Sequence, residues 1–141
     1  MKIISHRGNL DGPNQEEENK MTYINQAMSL GYDVEIDLWY VNGDYYLGHD
    51  VPSHRTNLEF ISKDGLWIHA KNLDALYQLT KTNLHYFWHQ NDNFTLTSKN
   101  IIWTYPDKET TKNSVIVTLE NNLEKFLNLD IYGVCTDYVT T

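Results

Sequence analysis

The placement of charge along the first third of this chain constrains its fold more than any other feature. Three short clusters of ionisable residues, His6-Arg7-Gly8, Glu35-Ile36-Asp37 and Gly48-His49-Asp50, fall at or near the ends of apolar, strand-like segments. Two histidines, an arginine and three carboxylates are too many charged groups to bury for packing alone. A fold that gathers them into one pocket requires a cation and an anionic ligand to balance them.

Extended segments recur at short intervals, at 2–6, 33–38, 45–49, 66–70, 85–89, 100–104, 114–119 and 131–136, most of them rich in β-branched and aromatic residues and bounded by Gly, Asn or Asp. Helical signals fall between some of them. Asn19 is a candidate cap for a helix carrying Ile24, Ala27 and Met28 and stopped by Gly31. Asn72 is a candidate cap for a helix with Leu73, Leu76 and Leu79, while Leu119, Leu123, Phe126 and Leu127 mark a third helix and 58–62 a single turn before Gly65. Strands alternating with helices argue for parallel βα units. Eight such strands predict a compact, helix-depleted (β/α)8 TIM-type barrel over residues 1–141 as one domain. Barrels of this kind typically run to about 250 residues. A chain of 141 residues therefore fits only by dropping helices, notably between Asp37 and His49 and between Thr104 and Ser114. Outer strand surface left bare in this way is shielded by aromatics such as Tyr40, Tyr45 and Tyr46, or by a second subunit in a homo-oligomer.

Composition narrows the function classes. A net charge of −8 leaves no basic stripe to neutralise phosphates, so nucleic acid is excluded as a partner. The single cysteine, Cys135, excludes an internal disulfide framework and has no triad around it. No apolar run is long enough for a membrane span or a signal peptide, and we read the chain as soluble and cytoplasmic.

Side chains alternate along a strand, so Glu35 and Asp37 share one face and repel unless a cation sits between them. We expect 38–41 to run back down, the Asn42-Gly43 turn to reverse the chain, and His49 to return to the level of this pair. His6 and Arg7 end the first strand at the same mouth. His69 and Lys71, two apart, deliver a fourth contribution, and Glu18 leans over from the loop after the first strand. Asp50 is a candidate to orient His49. His89 and Asp137 end later strands and are candidates for the site's lining and rim.

These residues resemble the glycerophosphodiester phosphodiesterase family, part of the phospholipase-like phosphodiesterase barrels. His6-Arg7-Gly8 matches its opening motif, Glu18-Asn19 stands in place of Glu-Asn-Thr with Lys20 for the threonine, and Glu35-Ile36-Asp37 matches its Glu-x-Asp metal pair. Asn42-Gly43-Asp44 and Gly48-His49-Asp50 match its hairpin and second catalytic histidine. Trp67-Ile68-His69-Ala70-Lys71, Trp103-Thr104 and Gly133–Tyr138 resemble later strands more loosely. The resemblance implies a metal-dependent phosphodiesterase. One divalent cation is held by Glu35, Asp37 and a third ligand, with His6 and His49 as general acid and base and Arg7 and Lys71 on the phosphate. The implied metal is Mg²⁺ or Ca²⁺; His69 at the position where the family has Glu also admits Mn²⁺ or Zn²⁺. The substrate is a small phosphodiester such as a glycerophosphodiester, hydrolysed or cyclised. The segment after His49 is too short for the family's substrate-covering insertion. The alternative is an inactive barrel that keeps a metal and phosphate pocket as a sensor or accessory protein, against which the histidine pair argues, since binding needs neither acid nor base.

Overall fold

In the computed structural model, which describes residues 1–140, the strands and helices follow one another in a fixed order. The first half comprises β1 (Lys2–His6), α1 (Met21–Ser29), β2 (Asp33–Val41), β3 (Asp44–Leu47), β4 (His54–Thr56), α2 (Leu58–Ile61) and β5 (Leu66–Ala70). The second half comprises α3 (Leu73–Thr80), β6 (Tyr86–Phe87), β7 (Phe94–Leu96), β8 (Ile102–Thr104), β9 (Ser114–Thr118) and β10 (Gly133–Thr136). All the strands belong to one 10-stranded sheet. Parallel pairing runs β6-β5-β2-β1-β10-β9-β8. The β3-β4 ribbon extends antiparallel from the outer half of β2, and β7 lies antiparallel on β8.

The sheet curls into a mixed half-barrel whose two ends approach each other. Ser98 joins them: its N–H donates to the Tyr86 carbonyl at 2.8 Å, and its Oγ accepts from the Tyr86 N–H at 2.9 Å. This corrects the expected (β/α)8 TIM-type barrel. Strand takes 32% of the chain and helix 17%, so helices do not alternate with strands around the sheet. Helices α1 and α3 pack chiefly against β2 and β5. The helix expected over Leu119–Leu127 shrinks to a 3-10 turn at Leu123–Lys125, and Leu119 and Leu127 are exposed. The local sequence explains this. Asn121, Asn122 and Asn128 offer the backbone alternative partners, and the Asn122 side chain accepts from the Thr118 hydroxyl at 2.7 Å. After β8 the link is a polar loop, as its composition predicts.

Alternation along β2 builds the two layers. Val34, Ile36 and Leu38 are fully buried on the outer face, packed with Ile24 and Ala27 of α1, Ile68 of β5, and Ala75 and Leu79 of α3. Burying each aliphatic side chain is worth about 1.5–3 kcal/mol. A one-residue slip would push Glu35 and Asp37 into that layer, so the apolar row fixes the register that turns both acids inward. Ile4, Trp67, Phe87, Trp103, Val115 and Cys135 fill the interior below them.

Two local expectations also change. Asn19 does not cap α1: Lys20 occupies the cap position without a side-chain bond, and Asn19, at φ 66, is used elsewhere. Asn72 does cap α3, accepting from Ala75 N–H at 3.0 Å, and the same amide accepts from the Tyr40 N–H and donates to its carbonyl. Strand β2 does not fold back after Asp37 but continues to Val41. Asn42 and Gly43, at φ 52 and 84, then make the tight turn, and β3 returns with Leu47 opposite Leu38. His49 still reaches the predicted level, because the Gly48 N–H donates to the Asp37 carbonyl at 3.1 Å.

His85 lies across the interior floor, its ring 4.0 Å from that of Trp67 and its Nε2 2.6 Å from Thr97 Oγ1. Burial, then the charge of Lys99, pushes its pKa down to about 4. The folded chain therefore holds His85 neutral where the unfolded chain protonates it. Between the ordinary value near 6.5 and about 4, folding stability falls as pH falls. We expect His85→Gln to flatten the dependence of the urea midpoint on pH across this window; an unchanged slope would show that other groups carry it.

Among the described residues no helix is long and apolar enough to cross a membrane.

Candidate active site

The C-terminal ends of the parallel strands open onto one cavity of about 370 Å³. One side of it is charged: His6 at the end of β1 and Arg7 just after it, Glu35 and Asp37 from β2, His49 after β3, His69 from β5 and Lys71 just beyond. The clusters read from the sequence therefore meet.

Glu35 and Asp37 are 3% and 1% exposed. Parallel pairing sets His6 opposite Glu35 and His69 opposite Asp37. His69 Nδ1 is 3.2 Å from Asp37 Oδ1 and 3.7 Å from Glu35 Oε2. Its Nε2 lies 2.9 Å from the His89 carbonyl. A carbonyl only accepts, so Nε2 carries a proton and Nδ1 is turned on the two acids. That arrangement needs positive charge between the three donors, as a proton or a metal ion. One donor atom from each of Glu35, Asp37 and His69 lies within 4.8 Å of the others, so the three form a possible metal-binding triad. Glu35 Oε1 is buried with no hydrogen-bond partner among the described residues. An orphaned carboxylate oxygen beside a fixed imidazole fits a cation, and the residues present suit that group. Burial, and then the neighbouring charge of Asp37, pushes the Glu35 carboxyl well above its ordinary range. Burial also pushes Asp37 upward, but the contacts of His49 and His69 and the charge of Arg7 outweigh it and hold Asp37 well below.

Each remaining imidazole stands beside one acid. His6 Nε2 is 3.7 Å from Glu35 Oε1, and His49 Nδ1 is 3.7 Å from Asp37 Oδ2. His6 Nδ1 is 2.8 Å from Asp137 Oδ1. The His6 hydrogen bond helps to hold the Asp137 carboxyl low against the opposing effect of burial. The carboxylate therefore accepts, His6 Nδ1 carries the proton, and its Nε2 lone pair faces the acids. His49 Nδ1 is 2.5 Å from Arg7 Nη2, a cationic donor, so this nitrogen accepts and the proton sits on Nε2. Asp50 does not orient His49: it is largely exposed and its nearest approach is 3.6 Å.

Arg7 adopts φ 61 at the sharp turn into Gly8, φ 94. A Cβ on Gly8 would lie 2.6 Å from the Tyr23 ring, so only glycine fits the turn. The guanidinium places Nη1 3.2 Å from Glu18 Oε1, Nε 3.2 Å from Asp37 Oδ2 and Nη2 on His49, so a second N–H remains on each of Nη1 and Nη2. Lys71 lines the same cavity, and its ammonium has no ion-pair partner among the described residues. Glu18 does not reach the metal triad. It is a strut, accepting from Arg7, from Asn9 Nδ2 at 3.0 Å and from the Asn14 N–H at 2.8 Å.

Two amides that sequence reasoning did not place in the site hold it together. Asn9, fully buried, donates to both Glu18 and Asp137 and accepts from the Tyr23 hydroxyl at 3.0 Å. Asn19 donates from Nδ2 to Asp37 Oδ2 and accepts from the Asp37 N–H, both at 3.0 Å. The available signal was slight: Asn9 directly follows His6-Arg7-Gly8 and Asn19 directly follows Glu18, both in the loop between β1 and α1. We expect Asn19→Ala to weaken Mn²⁺ binding by about 10–100-fold in calorimetry while circular dichroism stays native. Unchanged affinity would make Asn19 a purely structural residue.

His89, just beyond β6, lines the far side of the cavity together with Gln90, Trp103, Tyr105, Val117 and Leu119, none of them acidic. Apart from His89, expected as a candidate for the lining, and Trp103, whose segment resembled a late strand, this wall was not read from the sequence. Comparison of the chain with protein-family models, with curated proteins and with solved structures yields no match.

Proposed function

We propose that this protein is a metal-dependent phosphodiesterase acting on a small phosphodiester. The observation that carries this reading is the disposition of the imidazoles. His69 is locked by the His89 carbonyl to face the acid pair, and His6 and His49, outside the triad and held by Asp137 and Arg7, each stand 3.7 Å from one acid. A pure cation-binding site has no use for two further imidazoles in opposite hydrogen-bonding states. The resemblance of residues 5–50 to glycerophosphodiester phosphodiesterases supports the same chemistry.

Glu35, Asp37 and His69 would hold one divalent ion. Two carboxylates with one imidazole suit Mn²⁺ or Zn²⁺ better than Mg²⁺ or Ca²⁺, which prefer oxygen alone. When bound, the ion supplies positive charge to a non-bridging phosphate oxygen. Arg7 and Lys71 bind the remaining phosphate charge. His6 Nε2 accepts the proton of the attacking hydroxyl, either water or a neighbouring hydroxyl of the substrate, as the new P–O bond forms. Asp137 stabilises the resulting imidazolium. The P–O bond to the leaving alcohol breaks. His49 enters this step as an imidazolium, having taken a second proton from solvent once the phosphate draws Arg7 off its Nδ1; it delivers the Nε2 proton to the leaving oxygen and is left neutral. Imidazoles titrate close to neutrality, which suits one to take a proton and the other to give one.

Turnover of bis(p-nitrophenyl) phosphate with Mn²⁺, Mg²⁺, Zn²⁺ and Ca²⁺ in turn tests the reading. We expect release of p-nitrophenol with at least one ion and its loss in chelator. Tight metal binding with no turnover under any ion would instead favour a metal and phosphate binder.

A further inference from the structure

We infer that the organic group on the diester is apolar and ring-like, held against the wall formed by Trp103, Tyr105, Val117 and Leu119. This inference rests on the phosphodiesterase reading of the same cavity and names the class of substrate it takes.

The cavity is two-sided. Every charged residue that lines it lies on the β1-β2-β5 side, with Lys71 at its limit. The opposite side comes from the ends of β6, β8 and β9, where the curled sheet brings its two ends together. There the Tyr105 hydroxyl donates to the Gln90 carbonyl at 3.0 Å, and the Tyr105 ring meets the His89 ring edge-on at 4.7 Å. Trp103 behind them packs on Phe87 at 4.7 Å, and Phe87 in turn lies parallel to His69 at 5.1 Å. The wall is therefore rigid and continuous with the imidazole of the metal triad. A phosphate seated between the charged groups has one substituent directed at this surface.

The chemistry of the wall selects among possible substituents. A polyol would find partners only at Gln90, His89 and the Tyr105 hydroxyl, and its hydroxyls facing Trp103, Val117 and Leu119 would have none, which costs affinity for each unpaired group. A cationic head group would meet the Lys71 ammonium with no carboxylate on the wall to offset it. A flat apolar ring instead removes its own surface and that of Leu119, which is 52% exposed, from water.

The test compares three monoesters that share the phosphate and differ in the organic group: phenyl phosphate, glycerol 3-phosphate and phosphocholine. Each is titrated into the Mn²⁺-loaded protein by calorimetry. Phenyl phosphate is expected to bind roughly tenfold or more tighter than the other two. In Tyr105→Ala and in Leu119→Asn this preference shrinks to about threefold or less, while glycerol 3-phosphate affinity holds. Leu119 lies at the exposed rim, so its substitution leaves the fold intact even where Tyr105→Ala disturbs it. Equal affinities, a preference for glycerol 3-phosphate or phosphocholine, or a phenyl preference that survives both substitutions overturns the assignment of the wall and leaves the phosphate site standing. Binding of none of the three overturns both this inference and the phosphodiesterase reading.

Discussion

His6→Ala and His49→Ala are each expected to lower kcat for bis(p-nitrophenyl) phosphate by about 10²–10⁴-fold, with Mn²⁺ affinity close to wild type. The two variants should fail differently. His6 is held by a buried carboxylate, so Asp137→Asn should reproduce part of the His6→Ala loss by releasing the tautomer that leaves Nε2 free. His49 is half-exposed and held only by Arg7, and it acts on the leaving oxygen. The His49→Ala loss should therefore shrink as the leaving alcohol becomes more acidic, from alkyl to p-nitrophenyl esters, while the His6→Ala loss should not. Wild-type rates in either variant would remove that histidine from the acid–base pair. An identical response to leaving-group acidity in both would remove the division of roles.

The second large effect separates the two acids of β2. Glu35→Gln and Asp37→Asn are both expected to abolish metal binding, and with it turnover, but to shift the stability of the metal-free protein in opposite directions. Glu35 is buried, its Oε1 has no hydrogen-bond partner among the described residues, and its charge faces that of Asp37. Replacing it with a neutral amide removes the cost of burying this carboxyl beside Asp37, whether borne as charge or as an added proton, and we expect a gain of about 0.5–2 kcal/mol. Asp37 is the reverse case. It is contacted by Arg7, His49 and His69 and clasped by Asn19. Removing its charge strands a half-buried guanidinium and costs about 3–5 kcal/mol. Urea denaturation in chelator measures both. A loss of stability in Glu35→Gln would mean that the carboxylate pair is not held against its own repulsion, and the case for a cation between them would fail.

Much of the site was legible because it rests on short-range rules. Period-two alternation between Val34 and Leu38 is enough to turn Glu35 and Asp37 to one face. The Asn42-Gly43 turn is enough to bring His49 back beside them, although β2 continues upward to Val41 before the chain reverses. The match at β1 and β5 was close for the same reason: each is a short apolar run with sharp polar boundaries. Asn19 misled because an asparagine before a helical pattern reads as a cap. Its side chain instead found a stronger partner in Asp37, 18 residues away. Glu18 misled in the other direction. It was expected to lean over the mouth of the site, yet Arg7, Asn9 and Asn14 take up its oxygens. The barrel failed as an expectation because counting strands says nothing of whether the links between them can form helices. The segment after β9 carries enough asparagine to prefer turns, and β7 pairs backward on β8.

Alternation, turn chemistry and the order of the charged clusters thus determined on their own that two acids, two imidazoles and an arginine would share a rim, because such rules act within a few residues. Only the tertiary structure decided which nitrogen of each imidazole is free, that Asn9 links Asp137 to Glu18, and that the rim faces an apolar wall. Those facts depend on partners up to 131 residues apart. Their contact is set by how far the sheet curls, and that curl is the summed result of packing across every strand rather than a property of any one segment.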